Sequence, residues 1–413
     1  MALKLLNKSR KLLFKILLAL LITVNIFSFT QPFYKEKQLY FGKFLLVGLI
    51  FVLITLGIFA KKKDIRLSGN TKNVSLFFGI WLLFMIISLF CGFYPISGGL
   101  VIFSYIILFL LAFVLLPNYL NEEGKQLEYK KVFFWFILIS VIVSILWGFT
   151  DPGSLYTVGE RARYQALFRN PNYLGLFSFF GVMVSAGVST LSGKKRYLFP
   201  IPLYLALIYF SDSRTSFFGI AIFGIVLFCL WIYSKIKIRE EKMFFKTATF
   251  LLFLFVFIGA IFTTYNYWEH FHEPSYLINK LLSLRPFYWT RALDNLNNYN
   301  WLFGQGLGRE GFGAISYDNF YLNTLIQTGL LGLFALLTFL LSAFYYLFKI
   351  FKGLNNNYLR QAIIVSLAMF ITVCIYSFFE SLLFSLGSIV SIYLWTDLGF
   401  YININKKQRE KIY

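Results

Sequence analysis

Charge is what this chain lacks most. Only 14% of its 413 residues are Asp, Glu, Lys or Arg, whereas 58% are hydrophobic. A soluble globular chain carries about a quarter charged residues. Soluble domains need a polar skin, so the shortage excludes a soluble fold at this length and makes lipid the natural solvent for the surplus apolar surface. Acid is scarcer than base, at 18 residues against 39, for a net charge of +21. Histidine is nearly absent. The two present, His270 and His272, stand with Glu269 and Glu273 in a short polar run that reads better as an exposed loop than as a metal site. The three cysteines, Cys91, Cys229 and Cys374, have neither metal spacing nor a disulfide framework and read as small core residues. No metal or other cofactor is expected. There is no internal repeat, low-complexity tract or soluble domain, so residues 1–413 read as one integral membrane domain.

What the chain has in abundance is long apolar runs. They fall near 12–30, 40–60, 74–93, 97–116, 132–149, 171–191, 197–211, 215–234, 246–265, 320–348, 359–380 and 385–402. A spanning helix needs about 20 apolar residues, and its backbone must be satisfied internally, which makes these runs helices. The strand alternation of a barrel is absent. The expected fold is an all-α polytopic membrane protein with about 12 transmembrane helices. Its basic N-terminal run lacks a cleavage site and reads as a retained first helix.

The basic residues sort by side. With the N-terminus inside, 28 of the 39 Lys and Arg fall in inner segments: 4–15, 61–72, 125–131, 194–196, 235–246, 349–360 and 406–411. This positive-inside bias predicts a cell-membrane, multi-pass protein with both termini cytoplasmic. The basic loops would lie on anionic headgroups, and nucleic acid is not an expected partner. The longest non-apolar stretch, 266–319, becomes an extracytoplasmic loop between helices 9 and 10, and a second outer loop spans about 150–170.

Of the thirteen Arg, seven fall on the outer side: Arg161, Arg163, Arg169, Arg214, Arg285, Arg291 and Arg309. The outer Lys number only four, at 35, 37, 43 and 280. Arg presents a planar fork that grips phosphate oxygens in two places, so the cluster suggests an anionic ligand. The alternative is pairing with Asp151, Glu160, Asp212, Glu269, Glu273 and Asp294. Run 197–211 contains Pro200 and Pro202 and reaches only ~22 Å, which should recess Ser211-Asp212-Ser213-Arg214 into the outer leaflet. A charged pair at that depth is a functional candidate; the alternative is a self-neutralising Asp212–Arg214 pair. Arg169-Asn170-Pro171-Asn172 reads locally as a helix start, with Asn170 capping and Pro171 in the first turn. Gly306-Leu307-Gly308-Arg309-Glu310-Gly311 matches a dinucleotide-binding string but has no strand before it. It reads instead, with Gly304 and Gly313, as a tight loop. Asp318 is either a helix cap or a base able to accept a hydroxyl proton.

Together these residues resemble the O-antigen ligase and O-antigen polymerase superfamily of bacterial membrane glycan-transfer proteins. The match runs over about 160–335: Arg163 through Asn172, Ser211–Arg214, the late loop with Arg285, Trp289, Arg291 and Gly304–Gly308, then Asp318-Asn319 nine residues before Gly329-Leu-Leu-Gly332. The ligases begin that last string with His, where this chain has Asp318, which moves the reading toward polymerase. The resemblance implies a polyprenyl-diphosphate-linked oligosaccharide donor and an acceptor glycan as partners, with membrane lipids around them. It also allows a chain-length regulator among the partners. Asp318, Arg214 and Arg291 would be catalytic. Arg161, Arg163, Arg169, Asn172, Arg285, Trp289, Asn319 and Tyr321 would contact substrate. The first reading is thus a polysaccharide polymerase on the outer face, the second a ligase moving glycan to a lipid, protein or wall acceptor, and the third a flippase or transporter. A transporter should carry charge through mid-bundle. Glu380 and Asp397 are the charges inside late apolar runs, and the sequence assigns them no role.

Overall fold

The computed structural model describes residues 2–27, 37–60, 67–92, 95–120, 125–150, 155–158, 161–236, 300–307, 318–354, 357–385 and 388–403, with 285, 289, 290, 293 and 294. The run 246–265, most of the late loop, Arg291, Arg309 and both histidines lie outside these residues. The helices are α1 (Ala2–Phe27), α2 (Lys37–Ala60), α3 (Gly69–Phe90), α4 (Pro95–Leu120) and α5 (Lys125–Thr150). They continue with α6 (Pro171–Ser192), α7 (Ile201–Ser211), α8 (Arg214–Ile236), α9 (Phe320–Lys352), α10 (Asn357–Tyr376) and α11 (Ile389–Asn403). Among the described residues seven helices are long and apolar enough to cross a membrane: α3, α4, α5, α6, the Arg214–Ser234 part of α8, α9, and the Tyr358–Tyr376 part of α10. The protein is therefore an all-α, multi-pass membrane protein with one small exception.

That exception lies in the loop after α5. Strands β1 (Leu155–Val158) and β2 (Arg161–Tyr164) pair antiparallel, with Leu155 opposite Tyr164 and Val158 opposite Arg161. Four-residue strands are too short for alternation to register as a pattern, so the hairpin escaped a reading tuned to barrel-length strands. The run 359–380 is also shorter as a helix than as an apolar stretch. α10 ends at Tyr376, and residues 377–385 turn back without helical structure.

α6 is the central helix, buried along nearly its whole length. Asn170 caps its start by accepting from the Asn172 N–H at 2.9 Å, Pro171 sits in its first turn, and Gly193 in the left-handed region closes its end. Small residues let its neighbours approach. A Cβ on Gly175 would meet Ser213, one on Gly181 would meet the Tyr204 ring, and one on Gly187 would meet the Tyr393 hydroxyl. A π turn at Leu110–Leu115 inside α4 is seated against α11, where a Cβ on Gly399 would stand 2.1 Å from the Ala112 carbonyl oxygen. Phe78, Phe109, Phe339, Phe384, Trp81 and Trp395 stack into one aromatic core between α3, α4, α9 and α11. Part of the Phe excess is spent there.

The helix ends define two faces. At one end Ser68 caps α3 and donates through Oγ to the Ile402 carbonyl at the close of α11. At the other, the site end, stand the hairpin, the α6 cap, the α7–α8 turn, Trp301–Leu307 and Asp318. Among the described side chains every lysine stands away from the site end, whereas the site-end cations Arg163, Arg169, Arg214 and Arg285 are all arginine.

Asp397 receives its explanation from the packing. Its carboxylate lies 2.7 Å from Lys130 Nζ, with both side chains 1% exposed. Ser366 Oγ donates to its other oxygen and Gln126 Nε2 approaches at 3.4 Å. This pair joins α5 to α11 near the end opposite the site. Lys130, counted among the inner cations, is thus buried in the bundle and not laid against headgroups.

Candidate active site

The site end is organised by a break in α9. Residue Gly329 has φ 68° and ψ −171°, so the helix cannot run straight through it. Uninterrupted, α9 would be about 50 Å long; from Leu330 onward it is about 35 Å, near the thickness it must span. In a regular helix the Leu330 and Leu331 N–H groups would donate to Ile326 and Gln327. Here Leu330 donates to the Trp301 carbonyl at 2.8 Å and Leu331 to Leu302 at 3.3 Å. The carbonyls released are taken by Gln305 N–H (2.7 Å, to Ile326) and Gly306 N–H (3.1 Å, to Gln327), and Ser88 Oγ also donates to Gln327. All four orphan groups are satisfied by one strap, Trp301–Leu307, as buried irregular backbone requires.

The strap explains the glycines. A Cβ on Gly329 would stand 2.3 Å from the Leu302 carbonyl, and one on Gly304 2.6 Å from the Gly329 nitrogen. Gly304 (φ 74°) and Gly306 (φ 95°) are left-handed as well, and Gly306 fits against Gly92 at the close of α3. The glycine string is therefore a loop, as expected from sequence, but one that docks on a helix break. Gly308, Gly311 and Gly313 lie outside the described residues.

The first part of α9 carries Asp318 and Asn319. Asn319 is the cap: its Oδ1 accepts from the Tyr321 and Leu322 N–H groups at 3.0 Å each. Asp318, one residue earlier, has φ 48° and an exposed side chain. The cap is therefore Asn319 and not Asp318. Asn319 and Tyr321, expected to contact substrate, are engaged inside the protein. The Tyr321 hydroxyl donates to the Cys374 carbonyl at 2.8 Å, and its ring packs on Phe378 with centroids 4.4 Å apart. Trp289 packs against the small cluster of Leu322 and Ile326.

Arg163 is likewise committed. Its Nε donates to the Ser211 carbonyl at 3.0 Å, and its Nη2 to Asn172 Oδ1 at 2.8 Å and the Asp212 carbonyl at 3.0 Å. Its guanidinium also stands 3.9 Å from the Asp212 carboxylate. The expected substrate contacts Arg163 and Asn172 thus form a clamp on the α7–α8 turn. The fork meets backbone oxygens because that turn presents two carbonyls side by side, with Asp212 in the left-handed region at φ 46°. α7 is only about 16 Å long, which brings the turn down into the bundle. Ser211, Ser213 and Ser216 are fully buried there. Arg214 opens α8 beside them, half-exposed, and Arg169 is exposed. Arg161 lies in β2.

Across α9, the turn after α10 supplies a carboxylate that sequence reading left without a role. Glu380 Oε1 lies 3.4 Å from Arg285 Nη2. Burial pushes the Glu380 carboxyl up to about 8, the nearby Asp318 charge pushes the same way, and Arg285 opposes both. The Phe320 N–H donates to the Ser377 carbonyl at 2.8 Å and Asn323 Nδ2 to Ser381 Oγ at 2.8 Å, so Asp318 and Glu380 ride on two segments bonded together. The Arg285 side chain is 10% exposed, and its Nε finds no partner among the described residues. The sequence signal for Glu380 was a lone acid at the end of an apolar run, which shows cost but not partner.

The site thus joins an arginine with an open donor, two carboxylates and a recessed polar turn, on a frame set by the glycine break. Residues 199–337, from the approach to α7 to just past that break, match the family model described as O-Antigen ligase. The resemblance read in the sequence is borne out over about a third of the chain; the Arg163–Asn172 clamp and Glu380 fall outside the matched span. A comparison with curated proteins gives no match. Over that span the chain is similar to O-antigen ligases, and its membrane-capable helices make it a multi-pass membrane protein.

Proposed function

We propose that the protein is a polysaccharide polymerase that transfers lipid-diphosphate-linked oligosaccharide repeat units to an acceptor sugar hydroxyl. The observation that carries this reading is the meeting of Arg285, with its unpartnered Nε, and the exposed Asp318 on one frame. The acceptor O–H gives its proton to Asp318 as its oxygen bonds to the anomeric carbon of the donor. The bond from that carbon to the diphosphate oxygen breaks, and the lipid diphosphate leaves with the electron pair. Arg285 stabilises the charge growing on it, joined by Arg214 and, from outside the described residues, Arg291. Free energy comes from the activated donor. The site end faces outward in this reading, because lysine, the commoner inner cation, is confined to the other end among described side chains.

Two experiments test it. Reconstituted protein supplied with purified lipid-linked repeat units should yield a ladder of polymer lengths and free polyprenyl diphosphate. Transfer of one glycan to an unrelated acceptor, with no ladder, would favour the ligase reading that the family description suggests. A cysteine placed at Asp294 should react with an impermeant reagent from outside, and one at Lys195 should not; the reverse pattern removes the outward site.

A further inference from the structure

A buried arginine aimed at a phosphate has to be neutralised while no phosphate is bound, and Glu380 stands where that counter-charge is needed. Three features describe how loosely it is held. The Arg285–Glu380 separation of 3.4 Å is longer than the roughly 2.7–2.9 Å of a good charge-assisted bond. One Arg285 nitrogen, Nε, finds no partner among the described residues although it is buried, so the fork is incompletely used. Glu380 belongs to a turn after α10 and not to a helix, so a rotamer change frees it without moving a span.

We propose that Glu380 is a placeholder for donor phosphate on Arg285, displaced and protonated when the donor binds. The inference rests on the diphosphate-binding reading above. In the donor-free protein, above the pH at which Glu380 titrates, its carboxylate shares Arg285; below that pH the neutral acid holds the same place. An entering diphosphate offers two free oxygens on each phosphorus to the same fork and wins the guanidinium. Glu380 then faces Asp318 and the new anion with no cation of its own. The groups whose charge reaches it are Asp318 and Arg285, and the neutral Tyr376 hydroxyl of α10 stands nearby. It takes one proton from water and becomes a neutral acid. The exchange balances as one carboxylate and one proton giving one carboxylic acid, while the guanidinium passes from carboxylate to phosphate. Two consequences follow. A neutral Glu380 no longer repels the diphosphate, and Asp318 keeps its negative charge for the acceptor proton. Glu380 is in this sense a positioning residue, acting through Arg285 and Asp318.

Burial and Asp318 hold the Glu380 carboxyl at about 8 in the donor-free state, and this sets the direction of the test. Below that pH Glu380 is already neutral and donor binding needs no proton. Above it, each bound donor must bring one proton, so affinity weakens as pH rises. Farnesyl diphosphate, a short prenyl diphosphate, serves as the probe with the full chain in nanodiscs. Between pH 7 and pH 9 the wild-type Kd should rise about tenfold relative to that of Glu380→Gln, by linkage to one proton. Comparing the two variants cancels the probe's own titration. A second measurement needs no variant to fold: at pH 8.5 in dilute buffer, saturating wild-type protein with the probe should take up about three-quarters of a proton per site. Parallel pH dependence in the two proteins, or binding without proton uptake, overturns the placeholder while leaving diphosphate binding intact. Failure of wild-type protein to bind the probe at any pH overturns both.

Discussion

Removing one partner of the Lys130–Asp397 pair should cost far more than removing both. The two charges lie 2.7 Å apart with side chains 1% exposed. At an effective dielectric constant of 20, unit charges at that separation attract by roughly 6 kcal/mol. Desolvation consumes most of this in the intact protein, so the pair contributes little net stability. A single substitution loses the attraction and leaves the other charge dry. Asp397→Leu strands Lys130, which otherwise meets the Tyr401 hydroxyl at 3.5 Å and the Tyr401 ring. Lys130→Met strands Asp397 with Ser366 and Gln126 as its donors. Each single variant should lose about 3–5 kcal/mol, and the double variant should lie within about 2 kcal/mol of wild type or above it. Folded fraction against SDS mole fraction, in mixed micelles, measures all four proteins. A double variant whose loss equals the sum of the single losses would refute the argument, since independent costs mean the two charges are not each other's compensation.

Three further outcomes are expected. Gly329→Ala must place a Cβ 2.3 Å from the Leu302 carbonyl at a positive φ, so the strap should detach, with loss of activity and a stability loss above 2 kcal/mol by the same SDS titration; a variant as stable as wild type removes the strap from the account. Asn319→Ala should cost about 1 kcal/mol as a lost cap, whereas Asp318→Asn should leave the SDS midpoint unchanged and lower glycan transfer about a hundredfold, and a fully active Asp318→Asn protein would leave the mechanism to the arginines. Arg163→Lys keeps the charge but not the fork, so amide exchange at Asp212, whose N–H donates to Tyr209, should quicken at least tenfold; unchanged exchange would mean the clamp does not hold the α7–α8 turn.

The membrane class was legible from composition alone, because lipid selects long apolar helices and little else. The Asn170–Pro171 helix start was legible too, since a cap acts through its own N–H neighbours. The same locality explains why the cap could not be placed at Asp318-Asn319: both residue types cap a helix, and only backbone dihedrals decide which one enters it. Gly329 shows the reverse. Its place in a spaced string marked it, but its reason, two carbonyls and two amides handed to a strap more than twenty residues earlier, exists only when the segments meet. Charge partners were the least legible of all. Arg163, read among the anion-binding arginines, also holds the α7–α8 turn, while Glu380 and Asp397 read as unexplained and became the partners of Arg285 and Lys130. Sequence shows that a buried charge is costly. Which opposite charge offsets it depends on pairs 95 and 267 positions apart along the chain, and that distance is closed by helix packing and by nothing in either neighbourhood.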